Sequence, residues 1–131
     1  MLMANDQGSG VDEKKYRRVM SASTLTGDKV VNAAGDELGK IDEIMIDTPT
    51  GRIAYVVLSF GGFLGMGDKL FAIPWSRLLL DENRQLFVFD IDKEVLEKAP
   101  GFDKENWPDM ADRGWGVLIH AYYGSRPYWD A

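Results

Sequence analysis

The sequence predicts a mainly β domain: a small, partly open antiparallel β-barrel of the meander type, with a short helix after its last strand and an aromatic helical extension at the C-terminal end. Three observations predict it. From Ser23 onward, short runs rich in Val, Ile, Leu and Phe alternate with Gly, Asp, Asn and Pro punctuation, and close spacing of short strands and turns is the pattern of a barrel or sandwich. The run Ile53 to Phe60 is almost wholly apolar, as a strand covered on both faces must be. The stretch from Phe102 to Ala131 holds three of the four tryptophans and three of the five tyrosines. The chain divides accordingly into a flexible N-terminal leader (residues 1–21), the barrel domain (22–99) and the aromatic extension (100–131).

Each element follows from local chemistry. Lys29 to Asn32 reads as the first strand, closed by the turn residues Ala33 to Asp36. Glu37 to Asp47 reads as the second. Its alternation breaks, because Ile41 and Ile44 fall on opposite faces of a regular strand. A bulge near Asp42 or Glu43 restores a common inward face and supplies curvature. Asp47-Thr48-Pro49-Thr50-Gly51 is a compact turn, in which Pro49 fixes φ and Gly51 tolerates a positive one. In the central strand, Ile53 to Phe60, Tyr55, Val57 and Ser59 share one face, and Ala54, Val56, Leu58 and Phe60 the other. Lys69 to Ile73 pairs back after a glycine-rich loop and is ended by Pro74, which has no N–H to donate. Trp75 to Leu80 then crosses the barrel end, and Gln85 to Ile91 is the last strand. Asp92 is expected to cap a helix over Lys93 to Ala99. In the extension, Trp107, Ala111, Trp115, Leu118 and Tyr122 lie on one stripe of a helix starting near Pro108, weakened by Gly114 and Gly116.

Charge and composition exclude several function classes. With no cysteine, disulfides, thiolate metal sites and cysteine nucleophiles are absent, which suits a reducing, cytoplasmic setting. The N-terminal stretch has no apolar run of signal-peptide length, and no transmembrane segment is expected. Fifteen basic and 21 acidic residues give a net charge of -6, so a nucleic-acid backbone is repelled on average and direct contact with it is not expected. The one dense basic group, Lys14, Lys15, Arg17 and Arg18, falls in the leader.

The residues Leu38 to Trp75, LGKIDEIMIDTPTGRIAYVVLSFGGFLGMGDKLFAIPW, resemble the PRC-barrel family. The correspondence runs in order through Leu38-Gly39, Asp47 with Gly51, Tyr55 and Val57, Gly61-Gly62 to Asp68-Lys69, and Pro74-Trp75, and covers about residues 22 to 99. The family takes its name from the H subunit of the photosynthetic reaction centre, and also includes the C-terminal half of a ribosome-maturation factor and small stand-alone bacterial proteins. The resemblance implies a docking or assembly module without shared catalytic residues. The segments Asn106 to Met110, Tyr122 to Gly124 and Arg126 to Trp129 resemble an extension found in some stand-alone bacterial members.

The suggestive residues mostly reduce to structural ones. Gly62 to Gly67 has phosphate-loop spacing, yet Asp68 stands where that motif needs lysine, and no Ser or Thr follows Lys69. Its apolar residues Phe63, Leu64 and Met66 either cover a barrel opening or contact a partner. His120 is the only histidine, too few for a zinc or iron site, and it reads as a structural residue. No serine lies in a nucleophile elbow. No catalytic residue, metal or cofactor is therefore assigned, and the chain is expected not to be an enzyme.

Trp107, Trp115, Tyr122, Tyr123, Arg126, Tyr128 and Trp129 concentrate the side chains favoured at interface centres. They are candidate partner-binding residues together with Phe63, Leu64 and Met66; packing on their own barrel is the competing reading. The expected function is a non-catalytic protein-interaction or assembly module. Its expected form is a homodimer whose exchanged tails would satisfy both readings, and its setting is the cytoplasm or the inner face of a membrane. A ribosome or RNA-maturation accessory protein and a small-molecule-binding barrel are the alternatives.

Overall fold

Six short strands joined by tight turns form one curled sheet in the computed structural model, which describes residues 19–61 and 68–130. The strands are β1 (Lys29–Val31), β2 (Glu37–Asp47), β3 (Arg52–Gly61), β4 (Asp68–Pro74), β5 (Leu78–Asp81) and β6 (Leu86–Phe89). Helices α1 (Ala22–Leu25), α2 (Lys93–Glu97) and α3 (Arg113–Tyr123) flank it, with 3-10 turns at Trp75–Arg77 and Tyr128–Asp130. The sheet order is β4-β3-β2-β1-β6-β5, a half-barrel of the mainly β class that the sequence predicts. Most of the leader and the loop carrying Phe63, Leu64 and Met66 lie outside the described residues.

The bulge in β2 is present. Ile41 pairs with Leu58 and Glu43 with Val57, so Asp42 is the extra residue. Ile41 is buried and Ile44 half-buried, and the long strand bends where its hydrophobic pattern changes phase. In β3, Ala54 to Leu58 are all buried. Their two faces are covered by different partners. Val56 and Leu58 join the core with Val30, Leu38, Phe87 and Leu96, while Tyr55 meets the C-terminal extension.

Three expectations are corrected. The sheet is not antiparallel throughout, because β1 and β6 pair in parallel, Lys29 with Leu86 and Val31 with Val88. A parallel join needs a long crossover, which the intervening β2–β5 segment provides. Trp75 to Leu80 does not all cross the barrel end: the 3-10 turn does so, and Leu78–Asp81 then forms β5, pairing with β6. Asp92 occupies the N-cap position of α2, yet its side chain makes no capping hydrogen bond, and the helix ends at Glu97.

The outer edge of β4 is capped at Leu70. Leu70 and Phe102 exchange two backbone hydrogen bonds, each 2.9 Å, so the first residues of the extension satisfy edge groups that would otherwise face solvent.

Helix α3 starts five residues later than its pattern suggests. The Asp109 carboxylate accepts from the Ala111 N–H and the Asp112 carboxylate from the Gly114 N–H. Short acidic side chains that take up backbone donors in this way hold a turn and postpone the helix. Gly124, at φ 69, closes it in a left-handed cap, with the Ser125 N–H bonded to the His120 carbonyl at 2.9 Å. The buried face is also shifted. Gly116, Ile119, His120 and Tyr123 point inward, whereas Leu118 is 69% exposed and Tyr122 39%, and Trp107 and Ala111 precede the helix.

Candidate functional site

The extension packs onto the sheet around Tyr55, which the structure buries completely. Its ring lies 5.2 Å from that of Trp115, 5.4 Å from His120 and 5.7 Å from Tyr128. The Trp115 and Tyr128 contacts are edge-on and the His120 contact tilted, and edge-on approach at these separations suits the ring quadrupoles. Close approach is the reason for glycine at 116: a Cβ there would stand 2.7 Å from Tyr55 Oη and 2.9 Å from the Trp129 ring. The residue that weakens α3 as an isolated helix lets it seat on the barrel.

His120 ties the helix to the last turn. Its ring is buried, with Nδ1 2.7 Å from the Gly116 carbonyl and Nε2 3.2 Å from the Tyr128 backbone N–H. The peptide N–H can only donate, so Nε2 is the acceptor and Nδ1 carries the proton. Both nitrogens are engaged, and the histidine holds the 3-10 turn in place.

The junction leaves a cleft of about 480 Å³ lined by Arg52, Ile53, Pro74, Trp75, Ser76, His120, Arg126 and Tyr128. The start of β3 and the end of β4 supply one wall, and α3 with the residues after it the other. Arg52 Nη1 donates to the Tyr128 carbonyl at 2.9 Å, and Arg126 Nη2 reaches the Asp130 carbonyl at 3.4 Å. Burial, and then the neighbouring Asp47 carboxylate, raise the Tyr128 phenol above its ordinary range, while Arg113 opposes them.

The sequence-predicted residues divide. Arg126 and Tyr128 line the cleft. Trp115, Tyr123 and Trp129 pack inward, Tyr123 against Phe89 at 5.7 Å and Trp129 against His120 at 5.6 Å. Trp107 sits on Phe102 at 5.1 Å, and the Tyr122 hydroxyl donates to the Val95 carbonyl at 2.7 Å; both remain partly exposed. Phe63, Leu64 and Met66 lie outside the described residues. Sequence reasoning missed Arg52, Ile53, Trp75 and Ser76 as cleft residues, and His120 as the link between its walls. The available signal was Gly116 four residues before the only histidine, a pairing that places both on one helix face.

Tyr55 Oη and Tyr123 Oη are buried without hydrogen-bond partners among the described residues. Burial drives both phenols well above the tyrosine range, with smaller contributions from Tyr128 and Tyr122 respectively. In the unfolded chain they ionise near pH 10, and in the folded chain they do not. Stability is therefore flat below that pH and falls above it, by up to about 1.4 kcal/mol per pH unit per phenol. Urea midpoints at pH 9, 10 and 11 should show this decline. The double substitution Tyr55→Phe, Tyr123→Phe should make it markedly shallower, leaving the smaller contribution of Tyr128.

Among the described residues, no three His, Cys, Asp or Glu side chains are grouped as a metal site, and no helix is long and apolar enough to cross a membrane.

Among solved structures, the chain is similar to a 16S ribosomal RNA processing protein, RimM, of Pseudomonas aeruginosa, at 22% identity and a TM-score of 0.40. The match covers 57% of this chain and 45% of that one, so it spans less than half the length of that protein. The search of curated proteins found no match. The family described as PRC-barrel domain matches residues 17–96, from the end of the leader through β6 to helix α2. That match takes in more than half of the sequence and all six strands of the half-barrel, and the chain belongs to the PRC-barrel family.

Proposed function

We propose that the chain is a non-catalytic docking module that holds a protein partner at the cleft between the half-barrel and its C-terminal extension. One observation carries this reading. The cleft is walled by apolar and aromatic side chains with two arginines at its margin, the composition of an interface centre. Its one imidazole has both nitrogens committed to backbone groups, so it offers no ready base to a nucleophile.

Ser76 is exposed at the cleft margin, and Ser76→Trp fills the space without entering the core. In affinity capture against wild type, this variant should lose the wild-type partner while its melting temperature stays within about 2 °C, a stability change well under 1 kcal/mol. Equal capture by both proteins would refute the cleft as the docking site.

A role on ribosomal particles is the second reading, favoured by the PRC-barrel match, because the family includes the C-terminal half of a ribosome-maturation factor. The net charge of -6 argues for docking on a ribosomal protein over direct RNA contact.

A further inference from the structure

We propose that the cleft takes an acidic segment of a partner protein, seating one apolar side chain against Trp75 and Ile53 while Arg52 and Arg126 hold the carboxylates beside it. The inference rests on the docking reading and names the chemistry of its ligand.

Charge distribution is the first ground. The chain carries a net charge of -6, yet the cleft lining contains two arginines and no carboxylate; the Asp47 carboxylate, across the hairpin from Arg52, is engaged with the Tyr128 phenol beside it. A local positive field inside an acidic protein selects an anion. The second ground is unused donor capacity. A guanidinium has five N–H donors. Each of these makes a hydrogen bond to a single backbone carbonyl, that of Arg126 long at 3.4 Å. Among the described residues neither arginine has a carboxylate at ion-pair distance, whereas Arg84 is paired with Asp81 at 2.8 Å. Of the remaining cations nearby, Arg113 lies over the Trp129 ring at 5.0 Å and Arg77 over that of Phe89 at 5.7 Å.

Shape and polarity narrow the ligand further. A volume of about 480 Å³ accommodates one or two side chains and not a whole helix. Ile53, Pro74, Trp75 and Tyr128 provide the apolar floor such a side chain needs. Two cations are few for a nucleic-acid backbone, and the surrounding acidity opposes a polyanion. A short segment with one or two carboxylates flanking an aromatic or aliphatic residue satisfies both the charge and the apolar surface.

The test uses fluorescein-labelled twelve-residue peptides, read by fluorescence anisotropy with the full chain. The panel carries a central Phe, Trp or Leu flanked by Asp and Glu. Controls replace the central residue with Ala, the acids with Asn and Gln, or the acids with Lys; a phosphoserine peptide, a twelve-nucleotide RNA and phenylacetate are added as competitors. The expected result is salt-sensitive binding of the acidic, apolar peptides, at least tenfold weaker with either neutral control.

Arg52→Gln with Arg126→Gln should weaken it at least tenfold, and the two Lys substitutions less, with unchanged circular dichroism melts. Preference for the phosphopeptide, the RNA or phenylacetate overturns the proposal, as does binding indifferent to the arginines. If no acidic peptide binds while Ser76→Trp still abolishes partner capture, the ligand chemistry fails and the docking reading survives. If Ser76→Trp is also without effect, both fail.

Discussion

Replacing Gly39 with alanine is expected to lower the unfolding free energy by about 3 kcal/mol or more, at the severe end for a single methyl group. Gly39 lies in β2 with φ 148, and a Cβ there would stand 2.1 Å from the Ser59 carbonyl oxygen and 3.2 Å from Leu58 Cδ1. The obstacle is backbone, so no side chain can swing aside. Nor can β2 retreat, because it is paired on both sides: Gly39 with Val30 of β1, and Lys40 with Ser59 of β3. Accommodation requires breaking ladder hydrogen bonds in the middle of the sheet. A drop of about 10 °C in melting temperature should follow for a chain of this length. A calorimetric melt within 3 °C of wild type would mean the two strands do not approach so closely.

Tyr55→Ala is expected to cost about 3–5 kcal/mol, the range for removing a buried aromatic side chain, and Tyr55→Phe close to nothing. The contrast follows from where each atom lies. The ring fills the space among Trp115, His120 and Tyr128, so truncation leaves a cavity under α3 that rigid aromatic neighbours cannot close. The hydroxyl is buried without a partner among the described residues, so its removal also removes an unmet desolvation cost. Urea titrations followed by tryptophan fluorescence measure both, since Trp115 reports directly on the junction. A loss above about 2 kcal/mol for Tyr55→Phe would show that Oη makes a hydrogen bond, and a loss under 1 kcal/mol for Tyr55→Ala would show that the extension does not depend on this ring.

What could be read from the sequence was what local pattern controls. The β2 bulge was legible because Ile41 and Ile44 cannot share a face of a regular strand. The double-sided burial of β3 was legible because Ala54 to Leu58 contain no charged residue and only the Tyr55 hydroxyl as a polar group. The parallel β1–β6 pairing was not, since it joins two short strands more than fifty residues apart and depends on how the whole sheet curls. Strand β5 was hidden for another reason: Leu78, Leu79 and Leu80 show no alternation, which conceals their period of two.

The buried face of α3 was misjudged because a search for apolar periodicity passes over Gly116 and His120. One packs through its lack of a side chain, and the other through two satisfied hydrogen bonds. The cleft had the same difficulty, as Arg52, Trp75, and His120 with Arg126 converge from three separate segments. The aromatic enrichment of the tail and the Gly116–His120 spacing were the signals that pointed toward it.

The paired backbone contacts of Leu70 and Phe102 make any division of the chain after helix α2 costly. Cleavage there would leave the Leu70 amide and carbonyl unmatched at the sheet edge, a point at which a neighbouring molecule's strand can add. The extension thus caps that point of the edge against strand addition, quite apart from what it binds.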